Sequence, residues 1–244
     1  MESQSQANQD NFVLKILEYP KSGYFIDIGC NKPIVGNNTK LLEDFGWNGL
    51  AFDLIEYENF SSIRKCKFIE GDCTKYDYNF IFKLENVPSI IEYLSLDIDE
   101  QSTTVLKKIS LDNFKFKVIT IEHDFYIHGD KYQKEQREIL YSFGYDLICS
   151  NVATYDIDAN HVHFEDWWIN PNYVNISKYE HIRCDKILHN EIINKLYPDL
   201  KIVNANDILE RYYDILLFID YEKQKNYDKI LSNSNRKSNS IAIK

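Results

Sequence analysis

The sequence predicts an α/β protein: a doubly wound, mostly parallel seven-stranded sheet with a C-terminal helical extension. Three observations predict it. Short apolar runs alternate with stretches of helical spacing about five times along the chain. The strongest of these runs, GYFIDIGC, GLAFDL and YLSLDI, carry an acidic residue at or near their ends, followed twice by a turn. They are apolar on both faces, the pattern of buried parallel strands rather than half-exposed ones. The chain has 244 residues, 44% of them hydrophobic, enough for one α/β domain and short for two.

The elements follow in order. Residues 1–10 are polar and read as a disordered tail. Phe12, Ile16 and Tyr19 recur at helical spacing, so a helix is expected over 11–19, stopped by Pro20. Residues 23–30 form the first strand. Asn38 and Thr39 precede Leu41, Leu42 and Phe45 and read as a capped helix closed by Gly46. Strands are expected over 49–54, 68–69, 93–98 and 116–121, with a helix over 102–109. A helix over 132–143 ends at Gly144, and strands over 145–150 and 163–169 complete the sheet. The main domain is expected to span 11–171. An extension over 172–231 holds helices near 186–196 and 208–218, and 232–244 reads as a flexible tail.

Composition excludes several classes. Thirty-eight Asp and Glu face 28 Lys and Arg, a formal net charge of -10, which disfavours a nucleic-acid partner. Five cysteines, Cys30, Cys66, Cys73, Cys149 and Cys184, include no C-x-x-C pair and read as reduced thiols. No apolar run reaches the ~18–20 residues of a membrane span, and the first residues lack a signal-peptide pattern. A cytoplasmic protein is expected.

The chemistry is sought at the carboxyl ends of the strands, where doubly wound sheets bind ligands. The first strand ends in Asp27-Ile28-Gly29-Cys30-Asn31. A dinucleotide fingerprint needs G-x-G-x-x-G, and Asn31 and Ile34 break it. One glycine preceded by an acidic residue suits a ligand with positive charge and no pyrophosphate, such as S-adenosylmethionine. Gly29 then permits close backbone approach. Asp27 accepts hydrogen bonds from the loop or the ligand ammonium. Asp53 and Leu54 end the second strand, where a carboxylate suits two ribose hydroxyls. Asp72 and Cys73 end the third strand, beside the adenine. Asp97 ends the fourth, near the methyl group. Cys30, Asn31 and Thr39 complete the expected cofactor set.

These residues resemble the FkbM-type methyltransferases. GYFIDIGCNKPIVGNNTKLLEDFGWNGLAFD is similar to the family's opening motif, and YLSLDIDEQSTTVLKKI to its fourth-strand block. KFKVITIEHDFY, REILYSFGYDLICSNV and FEDWWINP are similar to the later blocks, in collinear order over 23–171. The resemblance implies a Rossmann-like class I methyltransferase fold that uses S-adenosylmethionine. It implies O-methylation of a hydroxyl on a sugar, glycan or related small molecule. Asp99-Glu100 and Lys32-Pro33 depart from the family pattern.

A sugar hydroxyl is a poor nucleophile at neutral pH, so a base or a metal is expected to help. His123, in Glu122-His123-Asp124, is the expected base, with Asp97 and Glu122 orienting it or the acceptor. Alternatively Asp97 and Glu122, with Asp124, hold Mg²⁺. His128, His161 and His163 are further candidates for the base. Trp167 or Trp168 is a candidate platform for a sugar ring, and 126–132 for part of an acceptor wall. A catalytically degenerate binding module of the same fold is the competing reading.

Overall fold

The computed structural model describes residues 2–155 and 160–198. The helix expected over 208–218 and the tail over 232–244 lie outside these residues. Eight strands build one sheet: β1 Tyr24–Ile28, β2 Asn48–Asp53, β3 Lys67–Glu70, β4 Ile90–Leu96, β5 Lys115–Glu122, β6 Asp146–Tyr155, β7 His161–Ile169 and β8 Cys184–Asp185. Their order is β3-β2-β1-β4-β5-β7-β6-β8. The pairs from β3 through β5 are parallel. β7 runs antiparallel to both β5 and β6, and β8 is parallel to β6. The doubly wound, mostly parallel sheet is therefore the one expected, with β8 added as an eighth, two-residue strand.

The chain leaves β1 toward β2 and β3, then returns to β1's other edge with β4 and β5. That reversal opens a crevice beyond the carboxyl ends of β1 and β4. The central strands β1, β2, β4 and β5 are largely buried on both faces, as their apolar runs require; Ile26, Phe52, Leu94 and Ile119 share one core. Each such side chain contributes about 1.5–3 kcal/mol of burial.

The helices are α1 Gln9–Ile16, α2 Lys40–Asp44, α3 Phe60–Ile63, α4 Tyr78–Leu84, α5 Ser102–Leu106, α6 Phe125–His128, α7 Lys131–Ser142 and α8 His189–Leu196. α4 was not expected, although Asp77 caps it through a bond from the Phe80 N–H. α1 ends before Pro20, because Glu18 and Tyr19 both adopt positive φ. None of the described helices is long and apolar enough to cross a membrane.

Two boundaries differ from expectation. Residues before Asn11, expected as a disordered tail, are tied down. The buried Asp10 carboxylate accepts from the hydroxyls of Ser3 and Ser5 and from the Gln4 and Asn11 N–H groups. Ser5 bridges Gly36, Asn37 donates its N–H to the Gln4 carbonyl, and Ala7 is fully buried. Polar composition masked this, because the polar side chains bond one another. At the other end, Pro171 does not close the sheet's unit. β8 joins the sheet, and Ile192, Ile193 and Leu196 of α8 are buried.

Candidate functional site

A cleft of about 870 Å³ opens at the carboxyl ends of β1, β2 and β4. Asp27, Gly29, Cys30, Asn31, Asp53, Leu54, Asp72, Cys73, Asp97 and Glu122 all line it. One expected cofactor residue, Thr39, is not in its lining. Thr39 lies fully buried behind the wall, where its hydroxyl donates to Asp27 Oδ2 at 2.7 Å and accepts from Arg64 at 3.0 Å.

Each strand end positions its group by a local device. Gly29 has φ +89, and a Cβ there would lie 1.7 Å from the Asp97 carbonyl oxygen. The glycine is thus required by the contact between the loops after β1 and β4, in addition to any ligand. Asp53 accepts from the Asn31 N–H and its neighbour Leu54's N–H, both at 2.7 Å. These bonds fix the carboxylate and leave lone pairs facing the cleft. Asp72 accepts from the Thr74 N–H and hydroxyl, so it caps a turn as well as lining the cleft. Leu54 is 64% exposed and Tyr57 38%, an apolar flank beside Asp53.

Behind β1, Arg64 is buried and pairs with Glu43 at 3.1 Å. It also donates to Asn37 Oδ1 and the Pro33 carbonyl, holding the 31–39 loop. Asp27 is 1% exposed. Burial raises its pKa to about 6, and the Thr39 hydrogen bond and Arg64 charge offset this only in part. Its Oδ1 is buried with no partner, and so is Asn38 Oδ1 in the same cleft wall.

Asp97 and Glu122 form the other focus. Burial, then the charge each sees from its neighbours, raises both carboxyls above the usual range; the two hydrogen-bond each other. The two carboxyls therefore titrate as a pair, each raising the cost of ionising the other. Glu122 Oε2 also accepts from the Asp99 N–H at 2.8 Å. That bond holds Asp99 at φ +50, so Asp99 itself makes the left-handed turn after β4. Asp99, Glu122 and Asp124 each bring one oxygen within 4.8 Å of the others.

His123 is separated from this set and is absent from the cleft lining. Its backbone is turned away beside the left-handed Asp124 (φ +45), and the ring is 1% exposed. Nδ1 accepts from the Phe125 N–H at 3.2 Å, which leaves the ring hydrogen on Nε2. Nε2 lies 3.4 Å from Asp166 and 3.1 Å from the Gln133 amide. Arg137 grips the same Asp166 through two bonds, and the Asn151 N–H donates to it. Burial alone would raise Asp166, but its bonds with Arg137 and His123 and the Arg137 charge outweigh it and hold it below the usual range.

The other aromatic and imidazole candidates also lie outside the cleft lining. His163 contacts the Asn151 carbonyl, and His128 and His161 pack edge-on against Tyr132 and Tyr155. Trp167 and Trp168 are both fully buried. Trp167 packs on Phe12 and donates to Glu165, and Trp168 packs on Tyr141, so neither is a sugar platform. The sequence reading missed Asn38 as a cleft residue, and Gln6, Tyr57 and Gln101, which come from loops. A loop's contribution has no periodicity; only the D-I-D-E run after β4 hinted at the role of Asp99.

No protein-family model matches the chain, and no curated protein is similar to it. Solved structures similar to it include methyltransferases. One is a TehB-like SAM-dependent methyltransferase from Corynebacterium glutamicum (13% identity, TM-score 0.42, covering 66% of this chain and 86% of that one). Another is a SAM-dependent methyltransferase from Archaeoglobus fulgidus (15%, 0.40, 67% and 90%). A third is the 1,6-didemethyltoxoflavin-N1-methyltransferase of Burkholderia thailandensis, solved with bound 1,6-didemethyltoxoflavin and S-adenosylhomocysteine (12%, 0.44, 68% and 79%). The fold assignment stands on the strand order and pairing described above.

Proposed function

We propose that this chain is an S-adenosylmethionine-dependent O-methyltransferase of FkbM-like type, acting on a hydroxyl of a sugar, glycan or related small molecule. The observation that carries the reading is the donor set of the crevice between β1 and β4. Asp27, Asp53, Asp97, Asp99 and Glu122 line it, and no glycine-rich phosphate cradle accompanies them. Such a set suits a cation and hydroxyl donors, and repels phosphate.

The residues fit the cofactor. The unpartnered Asp27 Oδ1 awaits a donor. Asp53, held by two N–H groups, is ready for the ribose diol. Leu54, Tyr57 and Cys73 offer the apolar contact an adenine needs. When bound, the cofactor supplies a methyl group on a sulfonium. The chain's own work is to hold an acceptor hydroxyl in line and to take its proton. Asp97 does this: burial raises its proton affinity, which brings the carboxylate closer to the operating pH. Glu122 steadies Asp97 by hydrogen-bonding to it. His123 acts as a positioning residue that anchors the first turn of α6 through the Phe125 N–H.

A second route is favoured by one observation, the three oxygens of Asp99, Glu122 and Asp124 within 4.8 Å. Mg²⁺ there would displace the Glu122 proton, and its binding would strengthen as pH rises. Calorimetric titration with S-adenosylhomocysteine, with and without Mg²⁺, tests the reading. We expect a Kd of about 1–10 μM, followed by methyl transfer in a screen of neutral glycosides. Absence of binding under both conditions would sink the enzyme reading and leave the degenerate module. A heat that changes with Mg²⁺ would favour the second route.

A further inference from the structure

Two of the thiols outside the cleft lie side by side. Cys149 on β6 and Cys184 on β8 are direct partners in the parallel pairing of these strands. Adjacent strands lie about 4.8 Å apart, inside the ~4.4–6.8 Å that a disulfide spans between Cα atoms. As register partners on parallel strands, the two side chains leave the same face of the sheet side by side, and the Cys149 thiol donates to the Ile182 carbonyl at 3.7 Å. Cys149 is fully buried and Cys184 half-buried.

We propose that Cys149 and Cys184 are a site of reversible disulfide formation, with a small-molecule disulfide as the reacting partner. The two sulfurs have unequal roles. Cys184 is the more exposed of the two, and the adjacent Cys149 thiol, then the Lys195 charge, hold it below the ordinary cysteine range. Burial pushes Cys149 well above that range. Cys184 is therefore the attacking thiolate. It displaces one thiolate from the small disulfide and becomes a mixed disulfide. Cys149 then loses its proton and attacks Cys184 Sγ, expelling the second thiolate. The protein dithiol is oxidised by two electrons, and the small disulfide is reduced to two thiols. The three remaining cysteines have no such opening: Cys30, Cys66 and Cys73 are buried, and burial raises all three.

The bond would close the chain between β6 and β8 and clip an edge strand of only two residues onto the sheet. Its neighbours are already set for that contact. Asp185 accepts from Ser150 and Asn151, and Arg183 donates to both oxygens of Asp146.

The test uses the full reduced chain and oxidised glutathione, with acid quench, alkylation and peptide mass mapping. We expect the wild type to lose two hydrogens, to yield a Cys149–Cys184 crosslinked peptide, and to gain about 5–10 °C in Tm. Cys149→Ala should stop at one glutathione on Cys184, and Cys184→Ser should not react. Persistence of glutathione on Cys184 in the wild type would overturn the proposal. So would a pair that reacts only after unfolding in urea. Cys149→Ser serves beside Cys149→Ala, so that a folding defect in one variant does not mimic the result.

Discussion

Two polar clusters flank the carboxyl end of β5, and they are opposites. On the parallel side, the cleft cluster of Asp27, Asp97 and Glu122 is short of partners: carboxyl groups face carboxyl groups, and Asp27 Oδ1 has no donor. On the antiparallel side, Asp166 is fully engaged: Arg137 grips it through two bonds, the Asn151 N–H donates to it, and His123 Nε2 lies 3.4 Å away. A buried polar group without a partner costs about 1–3 kcal/mol, so a fold carries such a deficit where something else supplies the partner. The complete cluster ties α7 to the sheet; the incomplete one lines the cleft, where the proposed cofactor would supply the missing donor.

Three substitutions and a pH series can break or sharpen this contrast. The largest effect is expected at Gly29. Gly29→Ala puts a Cβ against the Asp97 carbonyl at positive φ, so the loops after β1 and β4 must part. S-adenosylhomocysteine binding should fall by about 100-fold or more, equivalent to ~2.7 kcal/mol, by calorimetry. Next comes a crossed pair. Asp97→Asn should lower kcat by ~10²–10⁴-fold while cofactor affinity stays within about threefold. His123→Gln should leave kcat within a few-fold and cost about 1–3 kcal/mol of stability, read by urea unfolding. The contrast fails if His123→Gln loses activity as Asp97→Asn does.

The last expectation is a pH dependence of opposite sign in the two clusters. Asp27 binds its proton more tightly folded (about 6) than its ordinary 3.8. The native state then holds more protons between these values, and stability falls as pH rises through about 4 to 6, by up to ~3 kcal/mol. Asp166 is depressed, so its contribution is present above 3.8 and lost as pH falls below that value. Denaturation from pH 3 to 7 should show this slope, and Asp27→Asn should reduce it, leaving the share of the other raised carboxyls. Saturating S-adenosylhomocysteine should reduce that slope, because its ammonium gives the Asp27 carboxylate a partner.

The parallel half of the fold was legible because its signals are local. Each strand is a short apolar run, and Asp27, Asp53 and Asp97 occupy the position where such a run stops. Gly29 was legible as a residue, although the force on it comes from the neighbouring strand's carbonyl. The antiparallel end was harder. β8 has two residues and no pattern, and its pairing with β6 spans about thirty residues of intervening chain. His123 misled for a physical reason. It follows the end of β5, as a base would, but the bonds of its backbone N–H and that of Asp124 to the Phe164 carbonyl turn it into the hairpin. The tryptophans misled because alternation settles which face a residue takes, but not that both faces are covered.

The pinned N-terminal segment has a practical consequence. Ser3 through Gln9 reach from the loop at Gly36 to Glu165 on β7, and Gln6 touches the cleft on the way. Whatever is fused just ahead of Ser3 sits at the doorway of the ligand, and a protein trimmed to begin at Asn11 loses that doorpost. Purification tags therefore belong at the other terminus. Weak binding by an N-terminally tagged or shortened form would report on the handling of the protein, not on its chemistry.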